Sequence, residues 1–124
     1  MTRVLVWTIP ARGHLTPALA LVAQLVARGA EVAVLTTDAH AADVRRAGAE
    51  PVPYATTWDT AAPARSPGPE VDAAEVAAWA PLVMLTEAEA QATAARDHLA
   101  RGTGEVVLVA DTTVRIPALV VARA

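Results

Sequence analysis

The sequence contains no cysteine, no lysine and no phenylalanine. Without thiols the chain can hold neither a disulfide nor a thiolate metal site. Its 10 basic residues are therefore all arginines, and the formal net charge is −3. No basic patch points to nucleic acid or to an anionic membrane, so neither is expected as a partner. Long apolar runs are missing too. Val4-Leu5-Val6-Trp7 is too short for the core of a signal peptide, and no stretch reaches the length of a membrane span. A cytoplasmic protein is the expectation. What is plentiful is Ala, Arg and Val, the bias a GC-rich genome produces, so single alanines carry little functional weight. At 124 residues, 54% hydrophobic and 19% charged, the composition is that of one globular domain with a real core.

Residues 3 to 8 form a short β-branched and aromatic run that ends in the turn-rich Ile9-Pro10-Ala11-Arg12-Gly13, which predicts a buried strand and then a loop. Thr16 suits an N-cap and Pro17 a first helical position, so a helix is expected from there to Gly29. Glu31 to Thr36 repeats the strand pattern, and Asp38 is placed to cap a second short helix ending at Gly48. Pro51-Val52-Pro53-Tyr54 reads as a third strand, its prolines marking a sheet edge. Residues 55 to 69 are rich in Pro, Thr and Ser, a loop of the length that often covers a site. A helix is expected from Asp72, interrupted at Pro81 and resuming to about Ala100. Glu105 to Ala110 is the fourth strand. Pro117 then opens a last helix, Ile116 to Arg123, which stops without a cap, so the domain is expected to be truncated at Ala124.

Strands alternating with helices in this way give an α/β, Rossmann-like, doubly wound parallel sheet. The usual winding orders the strands 3-2-1-4, with neighbouring strands about 4.8 Å apart. Ligands bind such sheets beyond the carboxyl ends of the strands at the switch point. The loop after strand one holds His14, and Asp111 stands at the end of strand four. The topology therefore predicts an imidazole nitrogen within about 3.5 Å of a carboxylate oxygen, a base with its orienting group. A neutral His can take the proton of a hydroxyl as it attacks an electrophilic carbon, while Asp fixes the tautomer and stabilises the imidazolium. There is no Gly-x-Ser-x-Gly elbow and no Cys, which disfavours a covalent hydrolase and favours direct displacement. A structural His near a helix start, and an Asp that merely caps the following helix, are the plainer alternatives.

Ile9-Pro10-Ala11-Arg12-Gly13-His14-Leu15-Thr16-Pro17, with the helix to Gly29 behind it, resembles the N-terminus of bacterial macrolide-type and related natural-product glycosyltransferases. Ala47 to Tyr54 and Val107-Leu108-Val109-Ala110-Asp111-Thr112 resemble the family's third-strand entry and Asp-bearing strand end. Where the family commonly carries Asn before the Pro of its Gly-His motif, Thr16 stands here. The resemblance implies the N-terminal half of a GT-B fold: residues 1–124 would be a partial acceptor-binding domain, and the C-terminal domain that binds a UDP- or dTDP-sugar would be absent. It implies an inverting enzyme, without metal or other cofactor, that glycosylates a hydroxyl of a small, largely apolar natural product. His14 would be the base and Asp111 its partner. This chain alone would then be inactive.

Trp58, in the Pro-rich loop, and Trp79, beside Pro81, are candidates to line an apolar acceptor pocket, although packing is the commoner role of such residues. Trp7 reads as core. His40 and His98 lie in Ala-rich helical contexts and read as surface residues, as does Arg45-Arg46. Two other functions compete. A dinucleotide-binding Rossmann module is disfavoured because the first loop holds only Gly13 and no G-x-G-x-x-G. A non-catalytic fragment or partner subunit would share the fold. A chain truncated after the last helix is expected to leave a bare sheet edge, so that copies could associate through strand four or that helix.

Overall fold

A computed structural model describes residues 1–57, 73–114, 118 and 121–123. Four strands, β1 (Arg3–Trp7), β2 (Glu31–Thr36), β3 (Glu50–Pro53) and β4 (Val106–Ala110), form one parallel sheet in the order β3-β2-β1-β4. Helix α1 (Arg12–Ala27) links β1 to β2, and a 3-10 turn (Asp38–His40) with helix α2 (Ala41–Arg46) links β2 to β3. Helix α3 (Ala73–Ala100) precedes β4. The order is the one the βαβ alternation predicts, with β3, the strand that carries two prolines, at an edge.

The central strands are apolar on both sides, as a parallel sheet covered by helices requires. Leu5, Trp7, Leu35 and Val52 face α3, where Ala92 and Ala95 meet them. Val4, Val6, Val32 and Val34 face the other way, onto Leu15 and Val22 of α1 and Val44 of α2. Val114, Ala118 and Val121 return to the α3 side of the core. Gly48, at φ +87°, takes the left-handed conformation that releases the chain from α2 into β3.

Two of the prolines expected to bound helices, Pro17 and Pro81, lie inside them. α1 starts at Arg12 with Ala11 as a cap that makes no side-chain hydrogen bond, so Thr16 is no N-cap and Pro17 is interior. Burial of Leu15 in the core holds the turn before Pro17 helical against the usual bias of a pre-proline residue toward extended backbone. α3 likewise runs unbroken through Pro81. Pro81 is exposed, and the lost backbone bond is offset by the packing of the helix downstream. Of the expected last helix, Ala118, Val121 and Ala122 are helical, Arg123 forms a turn, and the remainder lies outside the described residues.

Candidate active site

Parallel strands send the segments after β1, β2 and β4 out of the same edge of the sheet, and the N-terminal end of α1 sits there. His14 is the third residue of α1, in its first turn rather than in a loop. Asp111 follows β4 directly: its backbone N–H donates to the Trp7 carbonyl at 2.9 Å, extending the pairing with β1 by one step. Strand adjacency thus brings together two side chains 97 residues apart, and His14 Nδ1 lies 2.6 Å from Asp111 Oδ2. The Thr8 hydroxyl donates to the same carboxylate oxygen at 3.4 Å. The His14 side chain is 38% exposed and Asp111 19%, so the pair is open to solvent on the imidazole side. With Nδ1–H given to the carboxylate, the lone pair of the neutral ring is on Nε2 and points away from Asp111. That arrangement can accept a proton from a hydroxyl brought to the sheet edge.

A second polar cluster lies under the same edge. Glu87 and Gln91, one turn apart on α3, are buried. Gln91 Oε1 accepts the indole N–H of Trp7 at 2.9 Å. One oxygen of Glu87 accepts from the Thr56 hydroxyl at 2.7 Å and from the backbone N–H and hydroxyl of Thr57. The Tyr54 ring packs in the core beside them, and its hydroxyl has no hydrogen-bond partner among the described residues. Burial, and then the charge of Glu87, push the phenol well above its ordinary range, so it stays protonated.

Trp58 lies outside the described residues, and of Trp79 the structure describes only its place in α3. Trp7 is core, fully buried. The two other histidines are not surface residues. His40 is half-buried, its Nε2–H donating to the Pro10 carbonyl at 3.2 Å. His98 is largely buried at the opposite, amino edge of the sheet, 3.9 Å from Glu50. Burial lowers its pKa first, and Arg101 and Arg3 add to this against the pull of Glu50 and Glu31. Their Ala-rich surroundings hid this, because in both cases the burial comes from another element. Glu87 and Gln91 escaped sequence reading for the same reason, although their spacing with Ala95 along one helical face was a usable signal. Among the described residues no group of three or more His, Asp or Glu side chains is gathered as metal ligands would be, and no helix is long and apolar enough to cross a membrane.

No protein-family model matches the chain. Over 52 residues, 42% of its length, it is 46% identical to the NDP-glycosyltransferase YjiC of Bacillus licheniformis, of which the match covers 13%. The whole fold is similar to that of the calicheamicin glycosyltransferase CalG4, with TM-score 0.76 and 29% identity over 98% of this chain and 30% of that one. A kitacinnamycin glycosyltransferase matches with TM-score 0.70 and 29% identity, over 98% of this chain and 27% of that one. UGT89C1 of Arabidopsis thaliana, solved with UDP, shares the fold at 20% identity, with TM-score 0.64 over 98% of this chain and 31% of that one. The chain therefore spans less than a third of the length of these relatives.

Proposed function

We propose that this chain, a relative of the bacterial natural-product glycosyltransferases over the part of their length it spans, is the N-terminal, acceptor-binding portion of such an enzyme. Residues 1–124 would bind a small, largely apolar natural product with a free hydroxyl, a macrolide for example. The sugar donor, a UDP- or dTDP-sugar, would be held by a second domain of the GT-B architecture, and the reaction would run in the cytoplasm without metal or further cofactor. The observation that carries this reading is the His14–Asp111 contact of 2.6 Å at the carboxyl edge, supported by similarity to two glycosyltransferases across 98% of the chain.

In this reaction His14 Nε2 takes the proton of the acceptor hydroxyl as its oxygen bonds to the anomeric carbon of the sugar. The bond from that carbon to the diphosphate breaks, and the nucleoside diphosphate leaves with the electron pair. A single displacement of this kind inverts the anomeric centre. Asp111 holds the ring in the tautomer that leaves Nε2 basic and stabilises the imidazolium that results. Trp58 and Trp79 are the aromatic side chains we assign to the acceptor pocket, on their sequence positions alone.

The test is sugar transfer by a chimera that joins residues 1–124 to the donor-binding remainder of the calicheamicin relative. Transfer to an aglycone, lost by about 10³-fold in His14→Ala, is the expected result, within the usual range for removing a general base. A His14→Ala chimera at near-parental rates would place proton abstraction elsewhere. A correctly folded chimera without transfer would favour a non-catalytic subunit.

A further inference from the structure

The stretch from Pro10 to His14 crosses the rim of the sheet between two fixed points. Ile9 is buried in the core on the α3 side and Leu15 in the core on the α1 side. Between them the backbone makes a tight turn, with Ala11 N–H donating to the Ile9 carbonyl at 2.8 Å, and enters α1 through bonds from His14 and Leu15 to the Ala11 carbonyl. The helix start has no side-chain cap and no acidic residue in its first turn, so the devices that usually fix a helix entry are missing. Among the described residues one side chain bonds the backbone of this crossing: His40, through Nε2–H to Pro10 O.

His40 stands on a stiff platform. It ends the 3-10 turn after β2, its own N–H donates to the Thr37 carbonyl at 3.1 Å, and both Thr37 and Ala41 beside it are buried. β1 and β2 are parallel neighbours, so the segment after β2 emerges next to the one after β1, at the reach of one imidazole.

We infer that His40 is a positioning residue for the His14–Asp111 pair: it holds the Pro10 turn, and through it the first turn of α1, at the distance from β4 that keeps His14 Nδ1–H on Asp111. This rests on the function proposed above for what the pair does, but the brace itself is a property of the folded chain. Reactions that depend on a positioned proton acceptor lose rate steeply when the acceptor moves by an ångström. A carbonyl needs only a donor, so the contact survives protonation of His40 and does not make the site a pH switch.

The experiment reads the His14 ring in the 124-residue chain by imidazole nitrogen NMR, at about pH 8 where ordinary imidazoles are neutral. The parent should show one tautomer, with Nδ1 protonated and Nε2 bare. In His40→Ala, and in His40→Asn, whose shorter amide stops short of Pro10, the His14 nitrogen shifts should move toward the average of the two tautomers. His40→Gln, which sets an N–H where Nε2 was, should restore the parental pattern. Amide dispersion monitors the fold, and the Asn and Gln variants keep the comparison available if the alanine variant unfolds. A parental His14 pattern in His40→Asn, or a Gln variant as disturbed as the Asn one, would overturn the inference. In the sugar-transferring chimera, His40→Asn should lower kcat about tenfold, with the acceptor KM little changed. An inactive parental chimera would count against the glycosyltransferase reading and leave the NMR result to decide on the brace.

Discussion

A carboxylate 2.6 Å from one imidazole nitrogen sets the opposite nitrogen's role, and the two residues are unequal in what they supply. Removing His14 removes the proton acceptor, whereas Asp111→Asn leaves the ring in place with its tautomer no longer enforced and its charged form less stabilised. In the chimera, Asp111→Asn should therefore lose less than His14→Ala, about 10²-fold against about 10³-fold, in kcat measured with saturating acceptor. The third histidine, far from this pair, acts on stability. Burial lowers the pKa of His98 in the folded chain, while in the unfolded chain it titrates near the ordinary value of about 6.5. Below that value the unfolded state binds a proton that the folded state still refuses. Stability therefore falls as the pH drops from about 6.5 toward the lowered folded pKa, and levels off beneath it. Melting temperatures taken across that range should show this acid slope in the parent and a shallower one in His98→Asn; equal slopes would remove His98 as its source.

At the scale of elements, α3 is joined to the sheet by polar contacts as well as by its alanines. Gln91 is closer in length and shape to Met than to a branched residue, so Gln91→Met tests its polar function without emptying the site. The Trp7 indole N–H would be left buried without its acceptor, at an expected cost of about 1–3 kcal/mol in denaturant unfolding. An unchanged stability would mean that Trp7 finds another partner. Gly48→Ala should cost about 1–2 kcal/mol, because its backbone is left-handed and a Cβ there would come within 3.0 Å of Val26 Cγ1. These effects also explain what was legible beforehand. β2 was readable as Glu31–Thr36 because a β-branched run between Gly29 and Asp38 leaves little choice. The start of α1 and the continuity of α3 were not, since a proline's local preference was overridden by the burial of Leu15 in one case and by the downstream packing of α3 in the other. His14 and Asp111 could be paired in advance because strand order follows from winding, a rule of chain connection rather than of side chains. The contact of His40 with Pro10 and the burial of Glu87 depend on side-chain reach between elements, which no local pattern encodes.

For the whole molecule the consequential feature is the edge at β4. Among the described residues this strand pairs with β1 alone, and Val107 on it is 47% exposed. Exposed edges are normally guarded by a charge, a proline or a bulge. β4 reads Val-Val-Leu-Val-Ala and has none of these within it, whereas the other edge, β3, carries Pro51 and Pro53. Association between copies of the chain should therefore run through β4 and leave β3 free. Sedimentation velocity over a concentration series should show reversible growth beyond the monomer, and Val107→Lys should suppress it by placing a charge on the open strand. The substitution lies four residues back from Asp111 along β4, paired with Val4, so it should leave the His14 NMR pattern unaltered. A parent that stays monomeric throughout the series, or a Val107→Lys variant that associates as strongly as the parent, would show that β4 is not the surface through which copies meet.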